Sequence, residues 1–363
     1  MFTRIHRLFT VAALTVSVHA AAAQPQADPA VQRAARDTLS TVIAVDSSVK
    51  IGKLPNGLEY FIRPNPVPQG RAELRLVVKA GSVLEDDDQR GLAHFVEHMA
   101  FNGTTNFPGQ DVSGFIQSLG MRFGAHVNAH TSYDETVYQL QIPTDNPGVV
   151  DRSFLILEDF AHRVSFETAA IDKERGVVLE EWRLGLGAES RIRDAQMPVL
   201  LKGARYADRS PIGRPEIIQN VSPARLKQFY ADWYRPDLMA VIAVGDFNPA
   251  MVEKMIVSHF AGLSSPPSAR PRLIFSVPDH DQPLYSLIAD REVTTTTVTV
   301  SSVTSAGDQR TVGTYRQQMV ERLFTRLLSS RFEEIAHAAN PPFLAARTDR
   351  GLFVRTAVKE NQA

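Results

Sequence analysis

Residues 91–104 read Gly-Leu-Ala-His-Phe-Val-Glu-His-Met-Ala-Phe-Asn-Gly-Thr, with His94, Glu97 and His98 inside five positions. Imidazoles four residues apart lie one turn apart on a helix, so both rings can reach a single ion at about 2.0–2.1 Å. Glu97 shares that turn and is placed to take a proton from a metal-bound water. The pattern therefore points to zinc-assisted hydrolysis. At about 100° per residue, His94, Glu97, His98 and Phe101 fall in one sector, while Leu92, Phe95, Val96 and Met99 fall opposite. An ordinary surface helix would carry a solvated face of Lys, Arg, Ser or Gln, and residues 91–101 contain none of these.

A tetrahedral catalytic site needs a third protein ligand and one open position. The chain has no cysteine, so that ligand must be His, Asp or Glu. Residues 172–183, Asp-Lys-Glu-Arg-Gly-Val-Val-Leu-Glu-Glu-Trp-Arg, offer Glu174, Glu180 and Glu181. On a helix Ile171, Glu174, Val178 and Glu181 form one stripe, and Glu180 is turned away by about 100°. Carboxylates on an inward stripe are costly unless something compensates their burial, and a metal would do so. Glu181 is accordingly assigned to the metal and Glu174 to a supporting role beside it.

The elements that must hold these residues alternate along the chain. Residues 49–54 and 58–63 flank Pro55-Asn56-Gly57 and read as a hairpin, with 73–79 as a third strand. Helical periodicity covers 91–101 and 109–119, and strands are expected near 121–128 and 132–142. Helices follow at 147–165, 168–186, 190–201 and 223–234, and Met239 to Val244 reads as a closing strand. Hairpin strands followed by runs of helix predict an α+β class: a mostly antiparallel sheet with helices packed on one face. The proline- and serine-rich stretch 262–272 reads as a linker. It separates a catalytic domain at 46–261 from a partial second α+β domain at 273–363, with strands near 284–290 and 293–303, a helix near 311–338 and a last strand starting around Phe353.

Composition narrows the function classes. The 363 residues are 44% apolar and 22% charged, with 39 basic against 40 acidic groups, and no long run of one sign marks a nucleic-acid partner. Arg4 and Arg7, an apolar run from Leu8 to Val18 and the tract Ala20 to Ala23 form the layout of a cleavable secretory signal over 1–23. The run is short of the roughly 20 residues that span a bilayer, so no stable membrane insertion is expected. A flexible leader is expected over 24–45, and the periplasm or exterior as location.

The chain resembles the pitrilysin/insulinase zinc metallopeptidases, family M16, from about Val49 onward and most strongly over 50–245. Asn56-Gly57-Leu58 is similar to the family's first turn, residues 91–104 to its inverted His-x-x-Glu-His signature, and Glu174 to Glu181 to its E-R-x-x-V-x-x-E segment. The resemblance implies one zinc ion held by His94, His98 and Glu181, with Glu97 activating its water. Asn128-Ala-His-Thr131 is similar to the family's N-A-x-T strand. There Asn128 and Ala129 would flank the scissile bond of an extended peptide, and Phe101 would line the pocket just beyond it. His126 and His130 on the same strand are read as bystanders. Family members enclose substrate between two halves, so a second subunit or a homodimer is the implied means of completing the chamber. A non-catalytic or partner-dependent scaffold subunit, or an inactive fragment of a longer peptidase, is the competing reading.

Overall fold

A computed structural model describes residues 38–305, 308–354 and 356–362. The expected signal segment 1–23 and the leader as far as residue 37 lie outside the described residues. The chain divides into two units, and residues 38–43 with 308–319 belong to the smaller one. Within it, Val42 bridges Thr311 in antiparallel fashion and Val312 N–H donates to the Thr41 carbonyl at 2.9 Å.

The larger unit carries a six-stranded sheet. Its strands are β1 (Lys50–Lys53), β2 (Glu59–Pro64), β3 (Arg71–Val78), β4 (Val127–Thr131), β5 (Thr136–Pro143) and β6 (Met239–Gly245). The spatial order is β1-β2-β6-β3-β5-β4, and every pair is antiparallel except β2 with β6. The first hairpin turns where expected: Gly57 has φ +96°, a value that glycine tolerates without a Cβ clash. Along β3, Ala72, Leu74, Leu76 and Val78 are buried while Glu73, Arg75 and Val77 remain partly accessible. The sheet thus buries one face, as period-two alternation predicts.

Helices cover that face. They are α1 (Leu92–Ala100), α2 (Asp111–Ser118), α3 (Pro147–His162), α4 (Thr168–Leu184), α5 (Ala188–Leu200), α6 (Pro215–Asn220), α7 (Pro223–Trp233) and α8 (Pro249–Phe260). Three of them begin at a capping residue. In α3, α7 and α8 an Asn or Ser N-cap accepts a backbone N–H of the first turn and proline follows at the first helical position. Phe95 and Met99 of α1, Phe154 and Leu157 of α3, Phe229 and Trp233 of α7, and Ile256 and Phe260 of α8 pack with the sheet in one core. Burying each such side chain is worth about 1.5–3 kcal/mol, which anchors the helices that carry the polar residues. Among the described residues no helix is long and apolar enough to cross a membrane.

Several sequence expectations change. Residues 121–126 form a tight loop, not a strand, because Gly124 takes φ +79° and its N–H closes on the Val127 carbonyl at 2.8 Å. The following strand likewise starts at Thr136 after a turn in which Ser132 N–H bonds the Glu135 carbonyl. Helix α8 had no counterpart in the pattern reading, although Asn248-Pro249 is a helix start signal. Beyond Leu263 the chain runs without helix or strand as far as Val298, so the strand expected near 284–290 is absent and the next begins at Thr299. Tyr285 and Leu287 are exposed there, and extended residues without a neighbouring strand gain no ladder. A three-stranded sheet follows from β7 (Thr299–Ser305), β8 (Arg347–Phe353) and β9 (Thr356–Gln362), together with α9 (Val312–Ala336). Near Phe353 one strand ends and another begins three residues later. The stretch 262–272 is pinned by Arg270, whose guanidinium meets Asp86 at 3.0 Å and Asp232 at 3.1 Å.

Candidate metal centre

Helix α1 starts under unusual restraint. Gly91 has φ +103°, and a Cβ on Gly213 would lie 2.2 Å from the Gly91 Cα, so two glycine backbones meet where the helix begins. Glu85, fully buried, accepts the Gly91 N–H at 3.1 Å and the Ala93 N–H at 2.8 Å, one with each carboxylate oxygen. It thereby caps the positive end of the helix. Burial pushes the Glu85 carboxyl up to about 8, against the opposing pull of the two N–H bonds and of Arg209 and Arg205. One turn further on, the side of α1 away from the core presents His94, Glu97 and His98.

The three expected ligands converge. His94 Nε2 and His98 Nε2 approach to 3.2 Å, and Glu181 Oε2 lies 3.6 Å from the first and 3.4 Å from the second. Among the described residues this is the group of three that could hold a metal ion. The ring orientations fit a cation. His98 Nδ1–H donates to Glu174 Oε1 at 2.8 Å, so once Nε2 gives up its proton to a cation the ring turns a lone pair from Nε2 toward the gap. Three electron-rich atoms facing one another repel unless a cation sits between them, and two imidazoles with one carboxylate are a zinc donor set. His94 differs from His98: its Nδ1 is buried without a hydrogen-bond partner among the described residues. Glu180 turns away and pairs with Arg183 at 2.8 Å.

The chain is similar to known proteins in both sequence and fold. The family described as insulinase (peptidase family M16) matches residues 61–185, and the one described as peptidase M16 inactive domain matches 220–353. A zinc protease PQQL-like protein of Arabidopsis thaliana is 39% identical over 304 residues, which is 84% of this chain and 32% of the relative. A probable zinc protease PqqL of Haemophilus influenzae is 35% identical over 290 residues, 80% of this chain and 31% of the relative. The crystal structure of the first half of the periplasmic protease PqqL from Escherichia coli superposes with a TM-score of 0.80 at 31% identity, covering 89% of this chain and 69% of that one. The chain belongs to the insulinase family of zinc peptidases. It spans about a third of the length of the curated relatives it matches.

In this insulinase-family chain His94, Glu97, His98 and Glu181 line a cleft of about 780 Å³, walled by α1, α4 and strand β4. Of the stripe predicted on α4, Ile171, Glu174 and Val178 are buried, whereas the Glu181 side chain is 51% exposed, opening into the cleft and not into the core. Strand β4 is the edge of the sheet, with Asn128 exposed and Ala129 partly so; Asn128 Oδ1 accepts the Ala129 N–H at 3.0 Å. Phe101 serves packing and cleft together, meeting Phe160 at 5.0 Å and the exposed Phe123 at 4.9 Å. His126 Nδ1 is occupied by the Arg122 N–H, and His130 lies exposed on the strand.

Burial and neighbouring charge set the protonation states. Burial, reinforced by the adjacent His98, lowers His94 to about 4, so its ring is neutral at neutral pH. Burial alone would lower His98 too, but the hydrogen bond and charge of Glu174, with Glu97 and Glu181, raise it. A cation at Nε2 would displace that proton. Glu97 is raised, chiefly by burial and against the bond it receives from Thr131. Thr131 entered from sequence as the last position of the N-A-x-T segment with no role of its own, and Glu85 did not enter at all. The signal for Thr131 was its two-residue offset from Ala129 on the edge strand; nothing local marks Glu85.

Proposed function

We propose that this chain is the metal-bearing part of an exported zinc endopeptidase that cuts extended or unfolded peptides. The observation that carries the reading is the convergence of His94 Nε2, His98 Nε2 and Glu181 Oε2 beside the buried Glu97, at the foot of an unpaired sheet edge. His94, His98 and Glu181 would hold a zinc ion, which would supply Lewis acidity. Glu97 takes the proton of the attacking water and returns it to the leaving amine; a carboxyl raised by burial is suited to both transfers. Glu174 accepts from His98 Nδ1 and fixes that ring. The free edge of β4 pairs with the peptide main chain, which admits many sequences, with Asn128 and Ala129 beside the bond to be cut. Phe101 and Phe123 offer an apolar surface to the side chain beyond that bond. The basic-apolar-small pattern of residues 1–23 supports export to the periplasm or exterior.

The test is metal analysis and peptide cleavage on one sample. Purified chain should bind about one zinc per molecule, a stoichiometry set by the one His-His-Glu group among the described residues, and cleave an unstructured peptide in a chelator-sensitive manner. Glu97→Gln should keep the metal and lose cleavage. A protein unable to take up zinc, or a fully active Glu97→Gln variant, overturns the reading. Metal without turnover would favour a scaffold subunit, or one needing a second subunit or a second copy to complete the chamber; that alternative draws support from the chain spanning about a third of its curated relatives.

A further inference from the structure

The geometry points to Thr131 as a positioning residue that ties the Glu97 carboxylate to the strand on which an extended peptide would lie. This rests on the peptidase reading above and assigns one residue a double task within it. Thr131 Oγ1 lies 2.5 Å from Glu97 Oε2, and among the described residues it is the hydrogen-bond donor to that side chain. A second threonine hydroxyl, Thr136 Oγ1, lies 3.4 Å from Thr131 Oγ1, but its proton goes to the Ala80 carbonyl at 2.9 Å. A hydroxyl has one proton to give. The shorter contact by almost 1 Å therefore decides that Thr131 gives its proton to Glu97.

The main chain of the same residue faces the other way. Gln141 N–H bonds the His126 carbonyl and Ser132 N–H bonds the Glu135 carbonyl, so the even-numbered residues of this stretch exchange hydrogen bonds with β5. In an antiparallel ladder the alternate residues, here Val127, Ala129 and Thr131, then point N–H and C=O away from the partner, toward the free edge. The Val127 carbonyl is taken by Gly124 N–H and the Ala129 N–H by Asn128. Of the groups on Ala129 and Thr131, that leaves the Ala129 carbonyl and the Thr131 N–H and carbonyl for an added strand. The register cannot slip, because Ser82 and Val83 N–H groups hold the Ser132 and Tyr133 carbonyls, and a Cβ on Gly81 would strike the Ser132 carbonyl at 2.3 Å.

Thr131 thus fixes a peptide strand and the base relative to each other. With Oε2 engaged by the hydroxyl, Oε1 is the atom of Glu97 left to receive the proton of the attacking water. Without the hydroxyl, the terminal carboxylate torsion of Glu97 is broad and roughly two-fold, and both oxygens sample unproductive orientations.

The test uses the full zinc-loaded chain and the variants Thr131→Val, Thr131→Ala and Thr131→Ser. Two readouts are taken: kcat and KM on an unstructured peptide, and the infrared carboxylate stretch of Glu97, identified by subtraction of the Glu97→Gln spectrum. Valine and alanine should lower kcat about tenfold to a hundredfold, as loss of a hydrogen bond to a charged group does, while serine stays within about threefold. KM and zinc content should hold in all three, since the main chain and the ligands are untouched. The Glu97 band should shift in the valine and alanine variants and stay in place with serine. A wild-type band and kcat in both hydroxyl-free variants overturns the assignment, and so does a serine variant as impaired as valine. If the zinc-loaded wild-type chain cleaves nothing, the scaffold or partner-dependent alternative is favoured, and the infrared shift still decides whether Thr131 holds the carboxylate.

Discussion

Removing the Glu174 carboxylate should weaken the metal site through His98 alone. Glu174 Oε1 accepts His98 Nδ1–H at 2.8 Å and is 8% exposed, so the bond is shielded from water on the Glu174 side. Burial by itself would raise this carboxyl, but the bond and charge of His98, with the Asn102 bond and the charge of Lys173, outweigh it and hold it below its ordinary value of 4.5. Losing a hydrogen bond to a charged group costs about 1.5–3 kcal/mol, and about 1.4 kcal/mol is tenfold in affinity. Glu174→Ala should therefore raise the zinc dissociation constant about tenfold to a hundredfold, in line with the loss of an outer partner of a metal-bound histidine. Glu174→Gln keeps an acceptor oxygen without the charge, and about half of the energy is retained, so its loss should be about threefold to tenfold. The sign with pH follows from the depressed value: the support is present above 4.5 and fades as pH falls through the lower folded value. Competition against a chromophoric chelator gives the affinities, and thermal melts of the metal-free variants separate misfolding from ligand loss. Wild-type zinc affinity in both variants would show that His98 needs no such partner, and the assignment of Glu174 would fail.

Three other perturbations test the frame around the site. The Glu85 carboxyl, raised from 4.5 to about 8, binds a proton on folding; its contribution is fully present below 4.5 and is lost as pH rises to about 8, an effect of at most about 4–5 kcal/mol. Urea melts from pH 5 to 8 should show wild-type stability declining more steeply than that of Glu85→Gln, and parallel profiles would refute the linkage. Gly213→Ala forces a Cβ against the Gly91 backbone at a left-handed φ of +76°, so both stability and zinc affinity should drop, the former by at least about 2 kcal/mol; an unchanged melting temperature would refute the contact. His259 bonds Glu158 at 2.8 Å and Asp151 at 3.1 Å, joining α8 to α3, so His259→Ala should cost about 1–3 kcal/mol in urea melts. Its zinc affinity should not change, and a large loss of zinc binding would mean the two regions are coupled.

What could be read in advance was whatever lies within one element. The two-sided character of α1 follows from a 3.6-residue period acting on eleven residues, and the structure buries Leu92, Phe95, Val96 and Met99 accordingly. The same logic brought Glu174 and Glu181 onto one stripe, but it overstated the burial of Glu181. That residue lies one turn from the end of α4, past Val178, the last buried member, where the core gives out and the cleft begins. Strand limits failed where a turn depended on backbone geometry, as at Gly124. Strand existence failed at 284–290, because a strand is stabilised by a neighbour and no local pattern supplies one.

The deeper gap concerns contacts across elements. Glu97 meets Thr131 across 34 positions, Glu174 meets His98 across 76, and Glu158 meets His259 across 101. Each of these bonds a buried or half-buried group that would be costly alone, and each depends on two elements reaching a fixed register. For the metal ligands a spacing rule stands in for that register, since His94 and His98 share a helix and the family segment supplies Glu181. For Glu97 no spacing rule exists. Its partner is set by the two-residue alternation of β4, by the turn at 132–135, and by the lack of a side chain on Gly81 that lets the turn close on residues 82 and 83. A motif of five residues can therefore specify where a cation would bind, but orienting the base beside it requires the sheet edge. The same edge would hold the peptide, so a mutation that shifts the 132–135 turn should displace base and peptide together.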